Sequence, residues 1–286
     1  GASNVAVGAN ALTANTTGTQ NSALGMYGLQ ANTTGVNNLA AGYAAGYSNT
    51  TGLGNVALGH STLYNNTTAN ANTAVGASAM VANTTGTQNT ALGFQSLYAN
   101  TTASNNTAIG YFALVANTTG ADQVAIGHTA LEDNTTGTRN VAVGYGAIKN
   151  NTTGNYNVSV GYAALVINTT GSNNTALGHE SLYSNTTASY NVAVGYQSLK
   201  ANTTGTANTA IGKLSLYSNT TADNNTAVGY DALRVNTTGA SNTSVGSGAL
   251  YANTTASYNT AVGYASLGAN TTGDQNVALG TEALKA

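Results

Sequence analysis

The chain has no cysteine, no proline and no tryptophan, and charged residues make up 5% of its 286 positions. Each shortage closes a class of explanation. Without cysteine there are no disulfides and no thiolate metal sites, although this leaves the redox compartment open. Charged residues usually make up roughly 25% of a globular domain. Here six basic and eight acidic residues leave a formal net charge of −2. That provides no basic surface for a phosphate backbone, so nucleic acid is not an expected partner. No apolar run approaches the ~18 residues of a membrane helix, so no membrane insertion is expected. No basic-then-apolar opening marks a signal peptide.

What is present is a repeat. Asn-Thr-Thr occurs with its Asn at Asn15, Asn32, Asn49, Asn66, Asn83, Asn100, Asn117, Asn134, Asn151, Asn168, Asn185, Asn202, Asn219, Asn236, Asn253 and Asn270, always 17 residues apart. Numbered from Asn4, one unit reads N-[TV]-A-[VIL]-G-[YH]-x-[AS]-L-x-[AS]-N-T-T-[GA]-x-x, and its positions are called places one to seventeen. Place five is Gly in all 17 copies, from Gly8 to Gly280. Place four is Val, Leu or Ile except at Ala41, and place nine is Leu except at Gly46, Met80 and Ile148. Place three is Ala except at Ser159 and Ser244, and place one is Asn except at Gln123.

Seventeen residues cannot hold two packed helices, and a Gly in every unit argues against helix. The stretch [TV]-A-[VIL] alternates and is β-branched, which suits a short strand. A second short strand is expected around [AS]-L-x. Gly at place five and the N-T-T-[GA] segment supply corners. The reading is an all-β parallel β-solenoid, one repeat per coil and about 17 coils, with coils ~4.8 Å apart and a rod roughly 80 Å long. Place five never accepts a Cβ, so it needs positive φ or close backbone approach. Place fifteen is Gly or Ala, so positive φ is not obligatory there. Its five alanines (Ala69, Ala103, Ala188, Ala222, Ala256) all follow a Tyr at place ten: Tyr64, Tyr98, Tyr183, Tyr217 and Tyr251. Ring–methyl contact or duplication of a two-repeat unit both account for this.

Places four and nine are the expected core, with Val7 over Leu24 and Leu97 beside Leu114. Each buried side chain contributes ~1.5–3 kcal/mol, which falls short of the ~1–2 kcal/mol per residue that backbone ordering costs. Ladders between coils and association with other chains are expected to help. Place three has the opposite parity, so its Ala column is expected to face outward, either as a subunit interface or as a second inner or solvated face. Coil three, with Ala41 and Gly46, is expected to be kinked or underfilled. The array of residues 1–286 begins and ends in mid-repeat without capping repeats, which reads as a segment of a longer fibre.

The unit, seen for instance at Asn225-Thr226-Ala227-Val228-Gly229-Tyr230, resembles the head repeats of YadA-type trimeric autotransporter adhesins. It is also similar to the NTAVGY-AL-NTTG arrays of bacterial and phage tail-fibre proteins. The resemblance covers essentially the whole chain. It implies a left-handed parallel β-roll, commonly a trimer, on a cell or virion surface. The unit here is longer than the adhesin repeat, by about the Asn-Thr-Thr insertion.

Asn-x-Thr is also an N-glycosylation acceptor, so the sixteen asparagines are candidate sites. The competing reading is an Asn corner whose flanking Thr residues bond the turn and stack between coils. Adjacent threonines point opposite ways in an extended segment, which disfavours an ice-binding face. The acidic residues are too few for a calcium-binding Asp in each coil. His60, His128 and His179 all occupy place six, as do Tyr145 and Tyr196. His60 and His128 lie four coils apart, roughly 19 Å by the strand spacing. They do not chelate within one chain, although copies could bring them together at a trimer axis. No nucleophile, base and acid set can be assembled, so neither an enzyme nor a cofactor is expected. The leading expectation is a structural and adhesive extracellular fibre segment that self-associates, as a trimer or filament, and meets a host surface or glycan. The alternatives are a glycan-binding or ice-binding solenoid, using Tyr64, Tyr98, Tyr183, Tyr217 and Tyr251, or a glycosylated filament with no adhesive role.

Overall fold

A computed structural model describes residues 1–285. Seventeen strands of three residues each recur once per repeat, from β1 (Val5–Val7) to β17 (Val277–Leu279), and there is no helix among the described residues. The chain forms a parallel β-solenoid. It divides into two compact units, Gly1–Asn140 with β1 to β8 and Val141–Ala286 with β9 to β17. Within each unit successive strands pair in parallel at a shift of one repeat. Val7 lies against Leu24 in the first unit, and Val143 against Val160 in the second.

The strand faces are the reverse of the sequence expectation. Alanine at place three is buried, at 0% exposure for Ala108 and Ala193, whereas place four points outward, with Leu24 57% and Val160 40% exposed. Place four is therefore not core and the Ala column is not a surface. The interior is narrow, and it is filled from the opposite wall by place nine, where Leu97, Leu114 and Leu216 are fully buried. Place eight, held by Ala, Ser, Thr or Gly, is buried as well in most coils. A Cβ on Gly28 at place eight would touch the Ala23 methyl at 3.4 Å. Only small side chains, Ala, Ser, Thr or Gly, occupy that space. Where Ser replaces Ala at place three, its hydroxyl donates inside the same coil, from Ser159 to the Ala164 carbonyl at 2.8 Å and from Ser244 to that of Ala249 at 2.7 Å.

The second strand is absent. Places six to eleven form turns, and the residues at places seven, nine and seventeen all have φ between 48° and 67°. Leu, Ile148 and Tyr190 adopt this left-handed conformation as readily here as Gly146 does. In isolation each such residue costs roughly 1–2 kcal/mol. The coil imposes it because carbonyls and N–H groups must alternate along the fibre direction to meet the next coil, as in Leu97 N–H to Ala113 O (2.9 Å) and Gly110 N–H to Leu92 O (2.8 Å).

The two glycine columns behave as their composition predicts. Place five has φ of 122–141°, and an added Cβ would come within 2.3–2.8 Å of the next coil's backbone at nearly every copy. Both causes operate together, which explains the invariance. Place fifteen has no positive φ at any copy.

Coil three is neither kinked nor underfilled. Its strand (Leu39–Ala41) is in full register with both neighbours. Leu29 of the preceding coil occupies the space that Gly46 vacates, so that a Cβ on Gly46 would meet its Cδ2 at 3.0 Å. Outside, Tyr27 sits edge-on to Tyr43 at 5.7 Å and near Tyr47 at 6.2 Å. Ala44, at place seven of this coil, is buried.

Candidate functional site

The Asn-Thr-Thr segment is the most repeated feature, so its chemistry decides several expectations. Fourteen of the triplet asparagines, Asn32 to Asn253, are buried, and Asn15 and Asn270 in the outermost coils are half-buried. In Asn100 the Nδ2 group donates to Asn83 Oδ1 at 2.9 Å and to the Ala103 carbonyl at 3.0 Å. The same pair of bonds recurs at Asn202, to Asn185 Oδ1 (3.1 Å) and the Gly205 carbonyl (2.9 Å). A glycan on Nδ2 would displace this ladder and would have no route to solvent. In the folded coil Asn32 to Asn253 lie in the interior with Nδ2 engaged in the ladder, whereas Asn15 and Asn270 are half-buried.

Place one makes a second amide column. Asn38 N–H donates to Asn21 Oδ1 at 3.0 Å, and Asn38 Nδ2 donates to the Gly52 carbonyl at 2.8 Å. That carbonyl also accepts from Asn49 Nδ2 at 3.0 Å. Place fifteen therefore faces two amides, and its backbone is held where a Cβ on Gly52 would lie 2.3 Å from Asn49 Oδ1 and 2.4 Å from the Ala69 carbonyl. The five alanines at this place never occur in consecutive coils. A glycine on either side lets the backbone give way to each methyl. Gln123, longer by one methylene, still reaches the Gly137 carbonyl, and Asn106 Nδ2 in the coil before it is left buried without a partner.

The two threonines divide. The first donates along the fibre, as in Thr33 Oγ1 to the Thr50 carbonyl at 3.1 Å and Thr203 Oγ1 to that of Thr220 at 3.0 Å. The second is exposed in all sixteen copies, from Thr17 to Thr272.

The aromatic residues form edge columns. At place six, rings stack from coil to coil: Tyr43 on His60 (5.1 Å), Tyr111 on His128 (5.0 Å), Tyr162 on His179 (5.1 Å) and His179 on Tyr196 (5.4 Å). Three of the place-ten tyrosines marked by sequence as a binding row also meet neighbours. Tyr64 stacks on Tyr47 at 4.8 Å, Lys200 lies 5.7 Å from the Tyr183 ring, and Arg234 lies 6.0 Å from that of Tyr251. Tyr98 and Tyr217 occupy the same column. Of these five, Tyr98 and Tyr251 are exposed. The most exposed tyrosines are at place seventeen, Tyr190 at 66% and Tyr258 at 64%, a column that sequence reasoning passed over because only three of its members are aromatic.

Lys200 and Glu180 form an ion pair at 2.7 Å, and Gln197 Nε2 also donates to Glu180 at 2.8 Å. The Lys200 hydrogen bond, reinforced by Gln197, holds the Glu180 carboxyl below its ordinary range, and the same bond from Glu180 raises Lys200. Among the described residues no three His, Asp or Glu side chains converge as metal ligands would, and no helix is long and apolar enough to cross a membrane. No protein-family model, curated protein or solved structure matches the chain.

Proposed function

We propose that the chain is a non-catalytic, structural and adhesive segment of an extracellular fibre on a cell or virion surface. The observation that carries this reading is that every coil spends its distinctive residues on holding the next coil. Asn at places one and twelve, Thr at place thirteen and Gly at place five all make coil-to-coil contacts. What remains outward is the same set of columns repeated in each coil. Repetition makes weak contacts with a host surface or glycan multivalent, so modest single-site affinity suffices. Self-association accompanies this role, with a trimer as the arrangement that the repeat resemblance favours. Immunogold electron microscopy of the source cells or virions tests it. Label along surface fibres is expected, and label confined to the interior would sink the proposal.

A glycan-binding module is the second reading, supported by the open rings of Tyr190 and Tyr258. Glycan arrays separate the two. Binding that is lost in Tyr190→Ala and Tyr258→Ala variants favours recognition over scaffolding. An ice-binding role would show as thermal hysteresis.

A further inference from the structure

The second threonine of the triplet, at place fourteen, has no task inside the fold. It is Thr in all sixteen copies, from Thr17 to Thr272, and is exposed in every one. The other two triplet residues are accounted for by coil-to-coil bonds, such as Asn202 Nδ2 to Asn185 Oδ1 and Thr203 Oγ1 to the Thr220 carbonyl. The place-fourteen hydroxyls meet no hydrogen-bond partner among the described residues, and the backbone there has no positive φ that would restrict the choice of residue. Copying of one ancestral unit does not explain the column, because other places have diverged. Place sixteen holds Thr, Ser, Asn, Asp, Ala, Val or Leu, and place eleven holds Ala, Ser, Asn, Asp, Ile or Val. Sixteen coils thus each present one free hydroxyl on a β-branched carbon, which limits its rotamers, at the ~4.8 Å coil spacing.

We infer that the place-fourteen column is an acceptor for O-linked glycosylation, with a nucleoside-diphosphate sugar as donor and a separate glycosyltransferase as catalyst. Transfer breaks the bond between the sugar's anomeric carbon and the diphosphate and joins that carbon to Thr Oγ1. The hydroxyl proton passes to the enzyme's base as the nucleoside diphosphate leaves, with no change of oxidation state. Selectivity follows from the fold. A sugar on Thr33 or Thr203 would remove the hydroxyl's bond to the next coil, and one on Asn100 Nδ2 would break the buried amide ladder. At place fourteen a sugar meets solvent and breaks nothing. A neutral sugar also suits the charge distribution. Residues 1–121 contain no charged side chain, and Val7, Leu24 and Leu92 in that stretch are exposed. Surfaces poor in charge and rich in exposed aliphatics associate non-specifically, and a row of sugars opposes this. Phosphate on the same hydroxyls would set dianions one coil apart, with no Lys or Arg in that stretch to balance them.

The test uses tryptic peptides of the full chain purified from its source. The peptide 201–213 holds Thr203, bonded to the Thr220 carbonyl, Thr204 at place fourteen, Thr206, bonded to Asp223 Oδ1 at 3.0 Å, and Thr209 in its strand. Mass spectrometry with electron-transfer fragmentation, which keeps O-linked sugars attached, is expected to find monosaccharide increments on Thr204 and none on Asn202, Thr203 or Thr206. In unmodified recombinant chain, Thr204→Val is expected to leave the urea unfolding midpoint unchanged. An unmodified Thr204 in source material, a phosphate increment in place of a sugar, or sugar on Thr203, Thr206 or Thr209 instead overturns the acceptor column. A lowered midpoint for Thr204→Val does so too, because place fourteen would then have a structural task. Immunogold location is read separately, so an unmodified surface fibre overturns the acceptor column and leaves the fibre reading standing.

Discussion

Residues 1–121 contain no Asp, Glu, Lys or Arg, and all six basic and eight acidic residues lie at or beyond Asp122. The coils on either side of that point are nevertheless built alike. Asn83 donates to Asn66 Oδ1 at 2.9 Å and to the Gly86 carbonyl at 3.0 Å, and Asn202 in the charged stretch makes the equivalent bonds at 3.1 and 2.9 Å. Charge is thus an ornament on a coil that neutral groups have already closed. Exposed ion pairs, such as Arg139 and Asp122 at 3.5 Å, contribute ~0–1 kcal/mol. The amide columns are buried, where an orphaned donor or acceptor costs ~1–3 kcal/mol.

The comparison breaks most readily at place five. Gly110→Ala in the uncharged stretch and Gly229→Ala in the charged one both place a Cβ at φ 137°, within 2.3 and 2.6 Å of the next glycine's carbonyl oxygen. Each is expected to cost roughly 3 kcal/mol or more, read from urea unfolding midpoints. A variant that unfolds like the wild type in either stretch contradicts the shared coil. Next come Asn83→Ala and Asn202→Ala, expected to cost ~2 kcal/mol each, because the buried amide of the following coil loses its ladder acceptor. Unequal losses would mean that nearby charges do support the ladder. Peptide mass spectra of native material should also show Asn83 and Asn202 unmodified.

A smaller effect tests the alternation at place fifteen. Gly86→Ala would put a third methyl between Ala69 and Ala103, whereas Gly154→Ala lies between Gly137 and Gly171. The two Cβ atoms would approach the next carbonyl at similar distances, 2.2 and 2.3 Å. Gly86→Ala is therefore expected to cost about 1 kcal/mol more, because its neighbours cannot give way. Equal melting curves would remove that account.

The smallest effect belongs to the charged stretch alone. Glu180 titrates lower in the folded chain than in the unfolded one, so its contribution is present at neutral pH and is lost as pH falls through the folded value. Lys200 is raised, so its share is present below its ordinary value and is lost as pH rises through the folded one. Both are partly exposed, which keeps the total below ~1 kcal/mol. Glu180→Gln should flatten the acid limb of the melting-temperature profile, and an unchanged limb would show that the pair contributes nothing.

The repeat length, the parallel stacking and the roles of the two glycine columns were legible in the residues alone. Identical residues at a constant interval pile into columns only if each interval is one coil, and a column that never accepts a Cβ must have both positive φ and a close neighbour or one of the two. Which face turns inward was not legible. A strand alternates, so T-A-V reads equally well with Ala inside or outside, and the larger side chains at places two and four argued for the wrong choice. The left-handed residues at places seven, nine and seventeen left no mark either, since Leu, Tyr and Gln there have no local preference for positive φ. Those residues set where the coil closes and how wide it is. The width admits methyls and amides but not a second aliphatic column, and so the tertiary structure alone put Ala and Asn inside and Val, Leu and Ile on the surface.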